Sequence, residues 1–251
     1  MRKILVVLLV LLMVGCQKEE KLMIATTTSL DNSGLLAYLL PHFEEETGVK
    51  ISVVAVGTGA ALELGRNKDA DILLVHAKEQ EIEFVESGYG EKRADIMYND
   101  FIFVGAEKID STNLTETLNF IKDNLEFYSR GDNSGTHMKE LSLWDSIDYT
   151  PSGDWYKETG QSMGSTLNMA NLAGGYTFTD RGTYLSMIDN LDLVIAYENT
   201  VELLNQYGVI KVTDAENSKV AEEFYNWILT SEAKELVSAF RKYNEQLFYV
   251  E

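Results

Sequence analysis

The sequence predicts an α/β protein, and three observations carry that expectation. Short apolar, β-branched runs alternate with amphipathic stretches of helical spacing along the chain. Only two prolines interrupt it, Pro41 and Pro151. No internal repeat or low-complexity segment competes with the pattern.

Residues 22–26 read as the first strand. Asp31-Asn32-Ser33-Gly34 supplies helix-start chemistry, and Leu35, Leu36, Leu39, Leu40 and Phe43 then recur at helical spacing. Pro41 is expected to kink or restart this helix, and Thr47-Gly48 to end it. A β-branched strand follows at 50–56, then a tight turn, Gly57-Thr58-Gly59, into a helix that runs through Arg66. Strands are expected at 71–76, 100–105, 126–128, 176–179, 191–197 and 209–212. Helices are expected at 79–87, 112–124, 136–146, 165–172, 181–188, 218–229 and 233–243. Two α/β lobes fit this layout, with the chain crossing near Asn99-Asp100 and again near Asn205-Gln206. The first lobe would hold residues 22–98 and 206–251, and the second 99–205. A single doubly wound sheet is the alternative. Trp144, Trp155 and Trp227 read as packing residues.

Composition bounds the function. Met1-Arg2-Lys3 and an unbroken apolar run from Ile4 to Val14 have the form of a signal peptide, residues 1–15, too short to span a bilayer stably. Met13-Val14-Gly15-Cys16 resembles a bacterial lipobox, with Met13 where Leu is usual; the alternative is an ordinary signal peptide with an incidental cysteine. Cys16 would be lipidated, and residues 16–21 would tether the fold to the extracytoplasmic face of the cell membrane. Cys16 is the only cysteine, so no internal disulfide supports the fold. With 45% hydrophobic residues the remainder can bury a proper core. A net charge of −19 argues against a nucleic-acid partner and against electrostatic docking on anionic lipid. It does not exclude a small anionic ligand, because long-range charge is screened over about 8–10 Å at ordinary salt. A monomer without a cofactor is expected.

Three loops share one design. Thr26-Thr27-Thr28-Ser29, Val56-Gly57-Thr58-Gly59 and Ser129-Arg130-Gly131-Asp132-Asn133-Ser134-Gly135-Thr136 each follow an apolar strand and enter a helix. Helix starts present unpaired N–H groups and positive potential, glycines admit close approach, and hydroxyls add adjustable donors. The same residues are ordinary caps and turns, so one loop alone would carry little. Arg130 sharpens the third loop, since a planar, permanently charged donor suits an oxyanion.

Together with Ala70-Asp71-Ile72-Leu73-Leu74-Val75-His76-Ala77, Met97-Tyr98-Asn99-Asp100-Phe101 and Tyr176-Thr177-Phe178-Thr179-Asp180-Arg181-Gly182-Thr183-Tyr184, these loops resemble the TupA-type tungstate-binding proteins of ABC importers. The resemblance spans the chain from Thr26 to about Val212. It implies a two-lobe type II periplasmic-binding fold with an oxyanion in the cleft and an ABC permease as partner. It also implies ligand contacts from Thr28, Ser29, Thr58, Arg130, Ser134, Gly135 and Thr136. Asn133 stands where a second Asp is common, Ala60 where Gln is common, and Gly105-Ala106 lacks a usual Pro.

Which anion binds is partly a matter of protonation. Tungstate, molybdate and sulfate are dianions at neutral pH and want donors only, whereas phosphate favours one acceptor carboxylate. Arg130 to Thr136 has the spacing of phosphate sites too, but Asp132 is expected to orient Arg130, which favours a dianion. The rival class is a hydrolase using His137 with Ser134 and Asp132. Against it, no Gly-x-Ser-x-Gly elbow occurs. His137 with Glu140 would be at most half of a metal site. The segment from Tyr176 to Tyr184 reads equally as a far wall of the cleft or as a strand capped into a helix by Asp180.

Overall fold

The computed structural model describes residues 20–242 and 244–250; the signal-peptide and lipidation expectations, Cys16 included, lie outside the described residues. Strand β1 (Lys21–Thr27) leads into a short helix α1 (Thr28–Ser33) and the longer α2 (Leu35–Thr47). The helix starts at Thr28, not at Asp31, because the Thr27 side chain accepts the Leu30 N–H. Gly34 instead ends α1, in the left-handed conformation at φ +86°. Helix α2 runs through Pro41 without a restart. Pro41 and Ala37, whose carbonyl loses its N–H partner, both lie on the exposed face, where water replaces that bond.

Strand β2 (Lys50–Val56), α3 (Thr58–Arg66), β3 (Ile72–Val75) and α4 (Lys78–Glu86) complete the first α/β stretch. The long β4 (Gly90–Gly105) opens the second, followed by α5 (Leu114–Asn124), β5 (Phe127–Ser129), α6 (Gly135–Asp145), β6 (Tyr156–Glu158) and α7 (Met163–Ala173). Next come β7 (Tyr176–Asp180), α8 (Arg181–Met187) and β8 (Val194–Glu198). The chain returns through β9 (Leu204–Val212) to α9 (Ser218–Ile228) and α10 (Ser231–Ala239). The last helix is shorter than its apolar spacing suggests. A two-strand hairpin, β10 (Arg241–Lys242) with β11 (Glu245–Gln246), replaces its expected end, and Asn244 takes the left-handed conformation at the turn.

The sheet runs β2-β1-β3-β9-β4-β7-β5-β6, with β8 pairing β4. Its two outer portions are parallel and its centre antiparallel. Strand β4 explains the division. Its residues up to Asp100 pair with β9, and from Phe101 onward its partners are β7 and, from Ile102, β8. The result is a two-lobe α/β architecture crossed twice, on β4 and on β9. Period-two alternation covers both sheet faces. On β3, Ile72 and Leu74 join one core cluster while Leu73 and Val75 join another. On β4, Ile102 and Val104 face the first cluster, and Phe101 and Phe103 face a third built around Trp144 and Phe127. Trp227 is buried in the first cluster, and Trp155 packs half-buried against the third. At the crossing, Asn205 donates to Asn99 (2.7 Å), and Arg181 grips Asp100 in a fork (2.8 and 2.5 Å).

Candidate functional site

Parallel strands leave ligand sites beyond their carboxyl ends, and here five such ends meet. Strand β1 delivers Thr28 and Ser29, β2 delivers Thr58, β3 delivers His76, and β5 delivers Arg130 and Asp132 through Thr136. Strand β6 delivers Gly160, Gln161 and Ser162. These residues line one cavity of about 500 Å³. All seven residues expected at the site (Thr28, Ser29, Thr58, Arg130, Ser134, Gly135 and Thr136) are among them.

Local chemistry fixes each element. Gly57 in extended conformation starts α3 with Thr58 as its first residue. Ser134 caps α6 by accepting the His137 N–H at 3.3 Å, and its hydroxyl also serves Asp132 as a donor. Ser162 caps α7 in the same manner. Two residues in the left-handed region, Gly131 (φ +60°) and Asn133 (φ +57°), fold the Arg130 loop back toward the start of α6. Gly131 has no room for a side chain, since a Cβ there would stand 2.7 Å from Glu158 Cβ. Gly135 is equally tight across the cavity: a Cβ would stand 2.9 Å from His76 Cε1 and 3.3 Å from Thr58 Oγ1.

The polar atoms are arranged for an acceptor-rich guest. Among the described residues of the lining, Thr58 Oγ1, Arg130 Nε and His76 Nδ1 are buried without a hydrogen-bond partner. Arg130 is the sole cation among the described residues of the lining, and Asp132 the sole acid. The two are joined through the guanidinium, and Asp132 Oδ1 also accepts the Ser134 N–H at 3.1 Å. Burial alone would raise the Asp132 pKa, but hydrogen bonds from Ser134 and the charge of Arg130 outweigh it, so the net shift is downward. Asp132 therefore stays ionised, with both oxygens engaged. His76 borders the cavity, its Nε2 3.2 Å from Ser29 Oγ. Burial lowers its pKa to about 4, which keeps it neutral.

The geometry decides three readings that the sequence left open. Ser134, His137 and Asp132 form no nucleophilic relay. His137 Nδ1 accepts the Asn133 N–H at 3.0 Å, and Ser134 Oγ meets the His137 backbone, not its ring. His137 and Glu140 do not pair for a metal, because the Glu140 carboxylate turns inward onto Ser129, Trp144 and Tyr156. No metal-holding group of three or more His, Cys, Asp or Glu occurs among the described residues. Tyr176 to Tyr184 is not part of the lining. It is a buried strand whose Asp180 caps α8 through the Thr183 N–H, 2.8 Å. Sequence reasoning missed His76 and the 160–162 loop. The only signal for His76 was its place at a carboxyl strand end, shared with Ser29, Thr58 and Arg130.

Comparison with known proteins agrees with this geometry. Residues 17–232 match the family described as the PBP superfamily domain. The chain is 45% identical over 247 residues to the tungstate-binding protein TupA of Peptoclostridium acidaminophilum, covering 92% of this chain and 86% of that one. Among solved structures, the tungstate-binding protein TupA from Desulfovibrio alaskensis G20 superposes with a TM-score of 0.82 at 42% identity, covering 92% of this chain and 99% of that one. The tungstate ABC transporter structure from Geobacter sulfurreducens gives 0.80 at 41% identity, covering 88% and 99%. Fold, cavity and kinship converge: the chain belongs to the PBP superfamily, with the two-lobe type II fold, and within it to the TupA-type family.

Proposed function

We propose that this protein captures tungstate in the cavity between its lobes and delivers it to an ABC permease without making or breaking a covalent bond. Thr28, Ser29, Thr58, Arg130, Ser134, Gly135 and Thr136 are the proposed ligand contacts. One observation carries this reading. Among the described residues of the lining, the sole cation and a buried Thr58 hydroxyl both hold donors without partners, while both oxygens of the sole acid already accept other donors. Such a lining suits a fully deprotonated oxyanion, which only accepts. A protonated phosphate would want a carboxylate to accept its hydrogen, and the Asp132 oxygens are turned to Arg130 and the Ser134 N–H instead.

The lobes are residues 22–98 with 206–251, and 99–205, hinged on β4 and β9. Gly135 stands against Thr58 and His76 across the cavity. Closure of the lobes on the anion expels water and strengthens each charge-assisted hydrogen bond. The protein acts as a monomer on the extracytoplasmic face, held there by lipid on Cys16 through a tether at 16–21. No helix among the described residues is long and apolar enough to cross a membrane.

A thermal-shift panel with tungstate, molybdate, sulfate, phosphate and chromate tests the function. Ligands of the native state raise Tm by mass action. Tungstate should give the largest rise and phosphate none. A panel in which no oxyanion moves Tm at saturating concentration overturns the reading.

A further inference from the structure

Beneath the cavity, and outside its lining, one carboxylate collects three donors. Glu140 lies on the inner face of α6 and is 2% exposed. Its Oε2 accepts the Ser129 hydroxyl at 2.6 Å. Its Oε1 accepts the Trp144 indole N–H at 3.1 Å and the Tyr156 hydroxyl at 2.7 Å. The donors come from β5, α6 and β6. An indole N–H can only donate and the two hydroxyls are directed to donate, so three hydrogens converge on this one group in its ionised form. Burial raises the Glu140 pKa to about 7, against the pull of those hydrogen bonds. A buried ionic group of this kind is a poor device for stability, since a packed apolar side chain does as well or better. Its geometry suggests another use.

Ser129 is the connecting piece. While it donates to Glu140, its Oγ accepts the Gly131 N–H at 3.3 Å. One hydroxyl thus holds the chain on both sides of Arg130. The helix that carries Glu140 is also the one whose first residues, Gly135 and Thr136, line the cavity. We propose that Glu140 is a positioning residue for anion capture: through Ser129 it locks Arg130 in register with the start of α6, so that guanidinium and helix donors meet one oxyanion. This rests on the oxyanion-binding function proposed above.

The same carboxylate also supplies the control. Tyr156 gives it a hydrogen bond nearly as short as that of Ser129 but from β6, whose continuation meets the Arg130 loop through the Thr159 and Gly160 backbone and not through Glu140. The variants are Ser129→Ala, Glu140→Gln, their double, and Tyr156→Phe. Each is titrated with tungstate by calorimetry and unfolded in denaturant without ligand. Ser129→Ala and Glu140→Gln should each weaken tungstate at least about tenfold, and the double should be no worse than the weaker-binding single, as for residues acting as one unit. Tyr156→Phe should bind within about threefold of the wild type while losing as much unfolding stability as Ser129→Ala. Affinity losses that follow stability losses across the set, or that add in the double, overturn the positioning role and leave the function standing. A wild type that binds no oxyanion overturns both. Ser129→Ala keeps two donors on the carboxylate, so it decides the matter if Glu140→Gln does not fold.

Discussion

Replacing Arg130 by Ala removes the sole positive charge from the described residues of the cavity lining. The cost can be worked from the contacts. Arg130 Nε is buried without a partner among the described residues and is available to the anion, while one terminal nitrogen is held by Asp132. Hydrogen bonds to charged groups contribute about 1.5–3 kcal/mol each. Loss of the charged partner of a desolvated dianion should therefore cost at least about 2–3 kcal/mol, or roughly 30- to 140-fold in Kd. The variant also frees Asp132 to repel the ligand from inside the site. Arg130→Ala combined with Asp132→Asn should therefore bind more tightly than Arg130→Ala alone. Arg130→Lys should fall between wild type and Ala, since it keeps the charge and loses the fork. Calorimetric titration with tungstate measures all four proteins. A Kd for Arg130→Ala within threefold of the wild type would refute the assigned role. A double variant no better than the single would refute the repulsion.

Two further outcomes follow from the cavity walls. Gly135→Ala places a methyl 2.9 Å from His76 Cε1. Overpacking of this order costs about 1–3 kcal/mol, so tungstate affinity should fall roughly 5- to 140-fold by calorimetry; an unchanged Kd would contradict the cross-cavity contact. His76 has a folded pKa depressed from 6.5 to about 4. Its contribution to stability is complete above pH 6.5 and is lost as pH falls from there to about 4, amounting to at most ~3 kcal/mol. Denaturant unfolding across that window should show His76→Gln with a shallower acid loss than the wild type. Parallel curves would remove His76 as a source of acid sensitivity.

The sequence carried the site better than it carried the elements around it. Helix-start chemistry is local, so Ser134-Gly135-Thr136 and Gly57-Thr58 announce themselves by residue type, and Arg130 by its charge. All seven expected residues line one cavity because each follows the carboxyl end of a parallel strand. His76 has no such local mark; its approach to Ser29 depends on β1 and β3 being neighbours. The first ten residues of β4 were invisible as strand, since Lys92, Arg93 and Asp95 break the apolar alternation and are satisfied by ion pairs instead. Strand β6 is three residues long, too short for periodicity. Pro41 misled because its effect depends on which face of the helix it occupies. Glu140 looked like half of a metal pair because i, i+3 spacing does not say whether a side chain points outward or in.

The central claim is that one oxyanion sits among donors from separate strand ends, and locating the metal tests it most directly. Crystals grown with tungstate should show a single strong anomalous tungsten peak in the cavity, with oxygens in hydrogen-bond range of Thr58 Oγ1 and Arg130 Nε. Saturable binding in solution with the peak elsewhere on the molecule, and this cavity holding only water, would contradict it.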